Sequence, residues 1–242
     1  MELARAESAL SSRIRSFCCG ASTPILAAMA APIVITDFDG TLALADVFDE
    51  LCDRFAAPDW REYQRLFASG ELSMLGAAQW IFDGVNASLA ELREYALRAG
   101  ELRAGASALF EAARAGRIEL VIASGGLGFY IEALLAEHLP YIQAVYCNSL
   151  TATDRGLSFD TPLGELRCER CAVCKGLAIQ KHLHAARRVV YCGDGWSDRC
   201  AAGVAPELFA VAGSSLARYC SERDVPHTEF DDYRQVLEVL GL

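Results

Sequence analysis

Apolar residues gather in five short, dense runs along this chain, at 33–36, 120–123, 144–147, 189–192 and 208–211. Each is rich in Val or Ile or flanked by aromatics, and none alternates strictly with polar residues. Runs of this kind read as strands covered on both faces. Stretches with apolar residues three and four apart separate most of them, at 106–115, 129–137, 172–184 and 197–204. That is helical spacing. Strands alternating with helices predict an α/β fold, a parallel sheet wrapped by helices. Ligands in such sheets bind beyond the carboxyl ends of the strands.

One interval breaks the alternation. Between Thr41 and the strand at Leu120 lie about eighty residues, too many for one crossover. "DVFDELCDRF", "WREYQRLF", "SMLGAAQWIFDGV" and "SLAELREYALRAG" all carry the helical spacing. The pattern predicts a small helical cap over 45–102, inserted into a core made of 29–44 and 103–242. Trp60, Tyr63, Trp80 and Phe82 are expected in the core of that cap. No internal repeat or low-complexity segment stands out.

Composition narrows the class. The chain has 242 residues, 53% of them apolar and 22% charged, which suits a globular protein with a substantial core. A net charge of −10 argues against a nucleic-acid or anionic-membrane surface. No apolar run approaches membrane-spanning length. Ten cysteines are scattered through the chain, and a core of this size needs no staples, so free thiols in a reducing, cytoplasmic setting are expected. Residues 1–28 carry arginines and serines without periodicity, and Met29 opens "MAAPIVITDFDG". The leader is expected to be disordered, with a transit peptide or an upstream start as the other readings.

The candidate chemistry sits at the strand ends. "DFDGT" puts Asp37 and Asp39 directly after the first strand. Two carboxylates so close repel one another, and a hard cation such as Mg²⁺ offsets that repulsion. Asp37 is placed to attack a phosphorus atom, and Asp39 to protonate the leaving oxygen and then take a proton from water. Gly40 permits an unusual turn and Thr41 can tie the loop down. The plain alternative is a turn after a strand. "VIASGGLG" places Ser124 and Gly125 beyond the second strand, where a hydroxyl and backbone N–H groups can meet phosphate oxygens, or simply form a tight turn. Lys175, one of two lysines, can hold a phosphate; Lys181 reads as surface. "VVYCGDGWSD" offers Asp194 to the metal, and Asp198 to Lys175, to metal-bound water or to a helix N-terminus. No serine–histidine–aspartate triad is suggested.

Those four segments, in this order, resemble the four motifs of the haloacid dehalogenase superfamily of phosphatases, over residues 33–212. The resemblance implies a Rossmann-like core, Mg²⁺, Asp37 as nucleophile and Asp39 as acid and base. It also implies metal ligation by Asp37, the Asp39 carbonyl and Asp194. The helical insertion after the first motif is similar to that of the phosphoserine-phosphatase-like branch, subclass IB. Within that branch, "DRFAAPDW", "SGGLGFYIEALL", "VYCNSL" and the cysteines before Lys175 resemble the phosphatases of methionine salvage. Those act on 2-hydroxy-3-keto-5-methylthiopentenyl 1-phosphate. In phosphoserine phosphatases an acidic residue nine positions after the nucleophile contacts substrate. Asp46 stands there, in place of the glutamate expected for phosphoserine, and it also reads as an N-cap for the following helix.

Cys168, Cys171 and Cys174 form C-x₂-C-x₂-C beside Lys175. Such steps suit a structural zinc, or a set of reduced or redox-active thiols. A fourth ligand is not evident; Cys147, His182 and water are the candidates. The expected function is a Mg²⁺-dependent phosphomonoesterase for a small phosphorylated metabolite, working through an aspartyl-phosphate. The rivals are a phosphotransferase or mutase using the same intermediate, and a catalytically silent, zinc-containing binding protein.

Overall fold

Val and Ile fill the first strand, β1 (Ile33–Thr36), and all four of its residues are buried. The computed structural model describes residues 30–154, 156–161, 164–168, 171–183 and 187–242. The expected leader at 1–28 lies outside the described residues, as does His184 at the end of one expected helix. Four helices follow β1: α1 (Val47–Phe55), α2 (Trp60–Ser69), α3 (Met74–Asp83) and α4 (Leu89–Ala99). The chain continues through α5 (Ala106–Arg114), β2 (Glu119–Leu127), α6 (Gly128–Leu134), β3 (Ile142–Thr153) and β4 (Gly156–Asp160). A hairpin of β5 (Arg167–Cys168) and β6 (Ala172–Val173) leads into α7 (Lys175–His182). Then come β7 (Val189–Gly193), α8 (Arg199–Ala202), β8 (Glu207–Val211), α9 (Ser215–Ser221), β9 (Thr228–Phe230) and α10 (Tyr233–Val239).

Seven strands make one sheet in the order β4-β3-β2-β1-β7-β8-β9. All neighbours run parallel except β3 and β4. This is the expected α/β architecture. Successive side chains leave a strand on opposite faces. Ile33 and Ile35 therefore join Val121, Tyr191 and Ile179 in one core. Val34 joins Ile122, Val190 and Leu109 in the other. With both faces covered, the strands read as unbroken apolar runs. Among the described residues no helix is long and apolar enough to cross a membrane.

Several elements differ from expectation. The predicted helix at 172–184 begins as strand β6, because residues 172–173 pair with 167–168. The one predicted over 197–204 is a 3₁₀ turn, Trp196–Asp198, followed by the single turn of α8. β3 runs past its predicted end and folds back as β4, which packs on α3: the Phe82 and Phe159 rings stack 6.1 Å apart. Trp60 and Phe82 are buried, but Trp80 is 61% exposed. The buried residues of α3 are Ala77, Ala78, Ile81 and Phe82, which leaves Trp80 outside, stacked on Tyr63.

Candidate active site

The centre of the sheet brings two loops together. Thr36 at the end of β1 lies beside Cys192 of β7, and the Asp37 N–H donates to the Cys192 carbonyl at 2.9 Å. Asp37 and Asp194 consequently leave neighbouring strand ends side by side. Strand order changes direction here, the usual position for a ligand crevice in such a sheet. After Asp37 the chain makes one tight π-type turn, Phe38–Leu42, closed by Ala43 N–H donating to the Phe38 carbonyl. Gly40 has φ +70°, and a Cβ there would stand 2.6 Å from the Asp194 carboxylate. Glycine is required on both counts. Thr41 Oγ1 donates to Asp194 Oδ1 at 2.6 Å, the tie expected of it. The buried Arg103 donates to the carbonyls of Thr41 and Gly40 at 2.6 and 2.7 Å.

Lys175 is the first residue of α7 and is 1% exposed. Its Nζ lies 3.1 Å from Asp37 Oδ2 and 3.3 Å from Asp198 Oδ1, and it donates to the Ser197 hydroxyl. Asp198 makes no side-chain cap to α8. It accepts instead from Tyr191 Oη at 2.6 Å and from the N–H groups of Asp194 and Gly195 at 2.9 and 2.8 Å. It thus fixes both the Asp194 loop and the lysine.

Asp39 accepts from Val47 N–H at 3.1 Å and from Tyr130 Oη at 2.6 Å. Any Cβ on Gly126 would collide with both Asp39 and Tyr130. Ser124 is fully buried and accepts from Gly126 N–H at 2.9 Å. The Gly125 carbonyl is held by Asn148 Nδ2 at 2.6 Å. Asp46 caps α1, accepting from Asp49 N–H at 2.9 Å, and also lines the cavity described next.

These groups close one end of a cavity of about 390 Å³. Asp37, Asp39, Ser124, Gly125, Lys175 and Asp194 form its polar floor. Phe48, Phe67, Met74, Ala77 and Ile81, from α1 to α3, form the apolar part of its roof, and Asp49, Arg61, Gln64 and Arg65 the polar part. Thr41 and Asp198 do not line it but bond to residues that do.

The electrostatics are those of crowded, dry carboxylates. Burial raises Asp37, against the pull of Lys175. Burial pushes both Asp39 and Asp194 up to about 6. Burial works against the Lys175 ammonium, but Asp198 and Asp37 reverse this and hold it charged well above the usual lysine range. Four carboxylates (Asp37, Asp39, Asp194, Asp198) thus face two cations, Lys175 and Arg103. Carboxylate oxygens of Asp37, Asp194 and Asp198 lie within 4.8 Å of one another. An all-oxygen donor set with a deficit of two positive charges fits a hard divalent cation. Asp198 already accepts three hydrogen bonds and an ion pair, which leaves Asp37 and Asp194 as the carboxylates with capacity for the metal.

Sequence reasoning reached Gly126 only as part of the Ser124–Gly126 strand end, and did not single out Arg103, Tyr130 or Asn148. Tyr130 reads as a core aromatic on a helix face, and only the "SGGLGFY" segment as a whole marked its neighbourhood.

The sequence profile of the haloacid dehalogenase-like hydrolases matches residues 34–203. A 2-hydroxy-3-keto-5-methylthiopentenyl-1-phosphate phosphatase of Brevibacillus brevis is 26% identical over 211 residues, covering 86% of this chain and 94% of its own. The enzyme of the same name from Bacillus cereus is 27% identical over 215 residues, covering 86% and 95%. Among solved structures, a phospho-aspartyl intermediate analogue of phosphoserine phosphatase superposes with a TM-score of 0.65 at 18% identity, covering 86% of this chain and 98% of that one. A substrate-bound phosphoserine phosphatase gives 0.66 at 17%, with the same coverage.

Proposed function

Because the chain belongs to the haloacid dehalogenase-like hydrolases and is a phosphatase among them, we propose that it hydrolyses a small phosphomonoester through a phosphorylated Asp37. The observation that carries this reading is the pairing of buried Asp37 with buried Lys175, 3.1 Å apart, on the floor of a cavity that Asp39 and Asp194 also line.

The chemistry follows from these positions. An Asp37 oxygen attacks phosphorus while the bond to the leaving oxygen breaks, and Asp39 gives that oxygen its proton. Water then attacks the aspartyl-phosphate, Asp39 takes back a proton, and inorganic phosphate leaves Asp37 free. A group titrating near 6 exchanges protons readily in both directions near neutral pH. Lys175 balances charge on the phosphoryl oxygens, and Ser124 with the Gly125–Gly126 backbone borders them. Asp37, Asp194 and the Asp39 main-chain carbonyl would hold Mg²⁺. Bound there, it neutralises carboxylate and phosphoryl charge.

Residues 45–102 serve as a cap on a core of 29–44 and 103–242, excluding water and reading the leaving group. Phe48, Phe67, Met74 and Ile81 present apolar surface to that group, beside the polar Asp49, Gln64 and Arg65 of the same helices, a mixed lining that suits a leaving group with both a hydrocarbon or thioether part and polar substituents. The reading extends to 2-hydroxy-3-keto-5-methylthiopentenyl 1-phosphate, the compound named for the bacterial relatives, with Asp46 facing the substrate.

A screen of phosphorylated metabolites tests this, with that compound and phosphoserine both included and Asp37→Asn as the blank. Mg²⁺-dependent phosphate release is expected, faster with the methylthio compound than with phosphoserine. The variant keeps its thermal transition and loses turnover. Hydrolysis undiminished in Asp37→Asn would defeat the mechanism.

A further inference from the structure

The thiols of Cys168, Cys171 and Cys174 lie within 4.8 Å of one another. The fold adds a fourth that the sequence does not reveal. Cys200 Sγ, from α8, stands 3.9 Å from Cys174 Sγ. The other candidates for fourth ligand are engaged elsewhere: His182 meets the Tyr146 hydroxyl at 3.1 Å, and Cys147 lies against Gly128. Cys200 stands beside this group of three rather than within its 4.8 Å circle, so a small inward movement would give four sulfurs from a hairpin and two helix starts, a donor set for a tetrahedral soft-ligand metal, zinc above all. We propose that Cys168, Cys171, Cys174 and Cys200 bind one structural Zn²⁺, which ties the lysine-bearing end of α7 to the Asp194–Asp198 loop.

The geometry supports this in three ways. Zn–S bonds of about 2.3 Å place tetrahedral sulfurs about 3.8 Å apart. The Cys174–Cys200 spacing already meets that, and Cys168 and Cys171, at 2.7 Å, would open by about an ångström. The Cys171 N–H donates to Cys168 Sγ at 3.2 Å, an N–H···S contact that holds the two sulfurs on the same side of the hairpin. Ala172, next to Cys171, holds φ +53°, a strained conformation that needs support from its surroundings.

The position gives the ion its purpose. Cys174 precedes Lys175, and Cys200 follows Asp198 by two residues. Gly176 packs so closely on Cys200 that a Cβ would come within 2.9 Å of its carbonyl. Metal here would keep Lys175 and Asp198 at their 3.3 Å separation. Each cysteine that binds as thiolate releases its proton to solvent, and no oxidant or reductant takes part.

The test uses the full chain, purified under reducing conditions without a histidine tag. Elemental analysis is expected to find about one zinc per chain. Exchange with Co²⁺ should give thiolate-to-cobalt charge-transfer absorption. Cys200→Ser loses the zinc while Cys147→Ser keeps it. If Cys200→Ser does not fold, the cobalt spectrum of the unaltered chain still decides. Protein without zinc that gives no such absorption overturns the proposal. So does iron in place of zinc, or a Cys168–Cys171 disulfide found by mass. Metal content is read without substrate, so failure here leaves the phosphatase reading standing.

Discussion

Asp39 is the residue on which the proposed chemistry turns, and its surroundings define how to probe it. Its two oxygens accept from Val47 N–H and Tyr130 Oη, which aims the carboxyl and limits its motion. If it protonates the leaving group, Asp39→Asn should cost about 10²–10⁴-fold on an alkyl phosphate. The loss in the phosphoryl-transfer step, read as the pre-steady-state burst of nitrophenol, should be much smaller on nitrophenyl phosphate, whose leaving group needs no proton, while hydrolysis of the aspartyl-phosphate slows for both substrates. Equal losses in the transfer step on both substrates would remove Asp39 from the acid role. Gly126 tests positioning without touching the carboxyl chemically. A methyl there displaces Tyr130 and Asp39 together, so Gly126→Ala should lower kcat about 10²-fold, with a smaller change in KM. Steady-state kinetics of the purified variant separate the two constants. At this scale the sequence was legible where a residue type is rare in its setting. Paired aspartates after an apolar run, or a lysine in a chain that has two, invite explanation. Tyr130 and Arg103 do not. A tyrosine on a helix reads as packing, and an arginine before α5 reads as surface. Their partners are 91 and 62 residues away, beyond any local pattern.

Helix α1 carries a residue with two jobs that can be separated. Asp46 caps the helix through Asp49 N–H and faces the cavity. Asparagine caps as well as aspartate does, whereas alanine does not. Asp46→Asn should therefore leave thermal stability near that of the parent, and Asp46→Ala should lose about 1 kcal/mol. A substrate contact would raise KM in both variants, and a cap alone would raise it in neither. Calorimetry with kinetics on the same samples resolves the two. Amphipathic helices of nine to eleven residues, α1, α2 and α4, were legible because one face is buried and the other wet. The parallel strands were legible because both faces are covered. β4 and β9 were not. β4 is an edge strand with two of its five residues exposed, and β9 has three residues, two exposed. α9 and α10, at seven residues each, complete too few turns to declare a period. β6 defeats local reading differently: its strand state depends on pairing with β5, which helix-like spacing cannot show.

The whole molecule holds more buried negative charge at its centre than it neutralises, and its stability should record this. Asp39 and Asp194 both titrate near 6 in the folded chain because of burial. Unfolded, each returns to about 3.9. Between those values the folded state binds protons that the unfolded state has lost. Folding stability is then greatest below the unfolded value and falls as pH rises through about 6. Asp37, raised in the same direction by burial, adds with the same sign. Lys175, raised above its ordinary value by Asp198 and Asp37 against burial, contributes stability that fades only at alkaline pH, outside this window. At about 1.4 kcal/mol for each of Asp39 and Asp194 between pH 5 and 7.5, the midpoint of thermal unfolding in magnesium-free buffer should be roughly 5–10 °C lower at pH 7.5 than at pH 5. Mg²⁺ binds the ionised carboxylates, so it should recover most of that difference at pH 7.5 and have little effect at pH 5. Leaving chelators out avoids stripping a cysteine-bound metal, and the magnesium-dependent part of the difference is what reports on the carboxylate floor. A midpoint that rises from pH 5 to 7.5 without magnesium would mean that the four carboxylates are already balanced by the protein. The case for a divalent cation among them would then go with it.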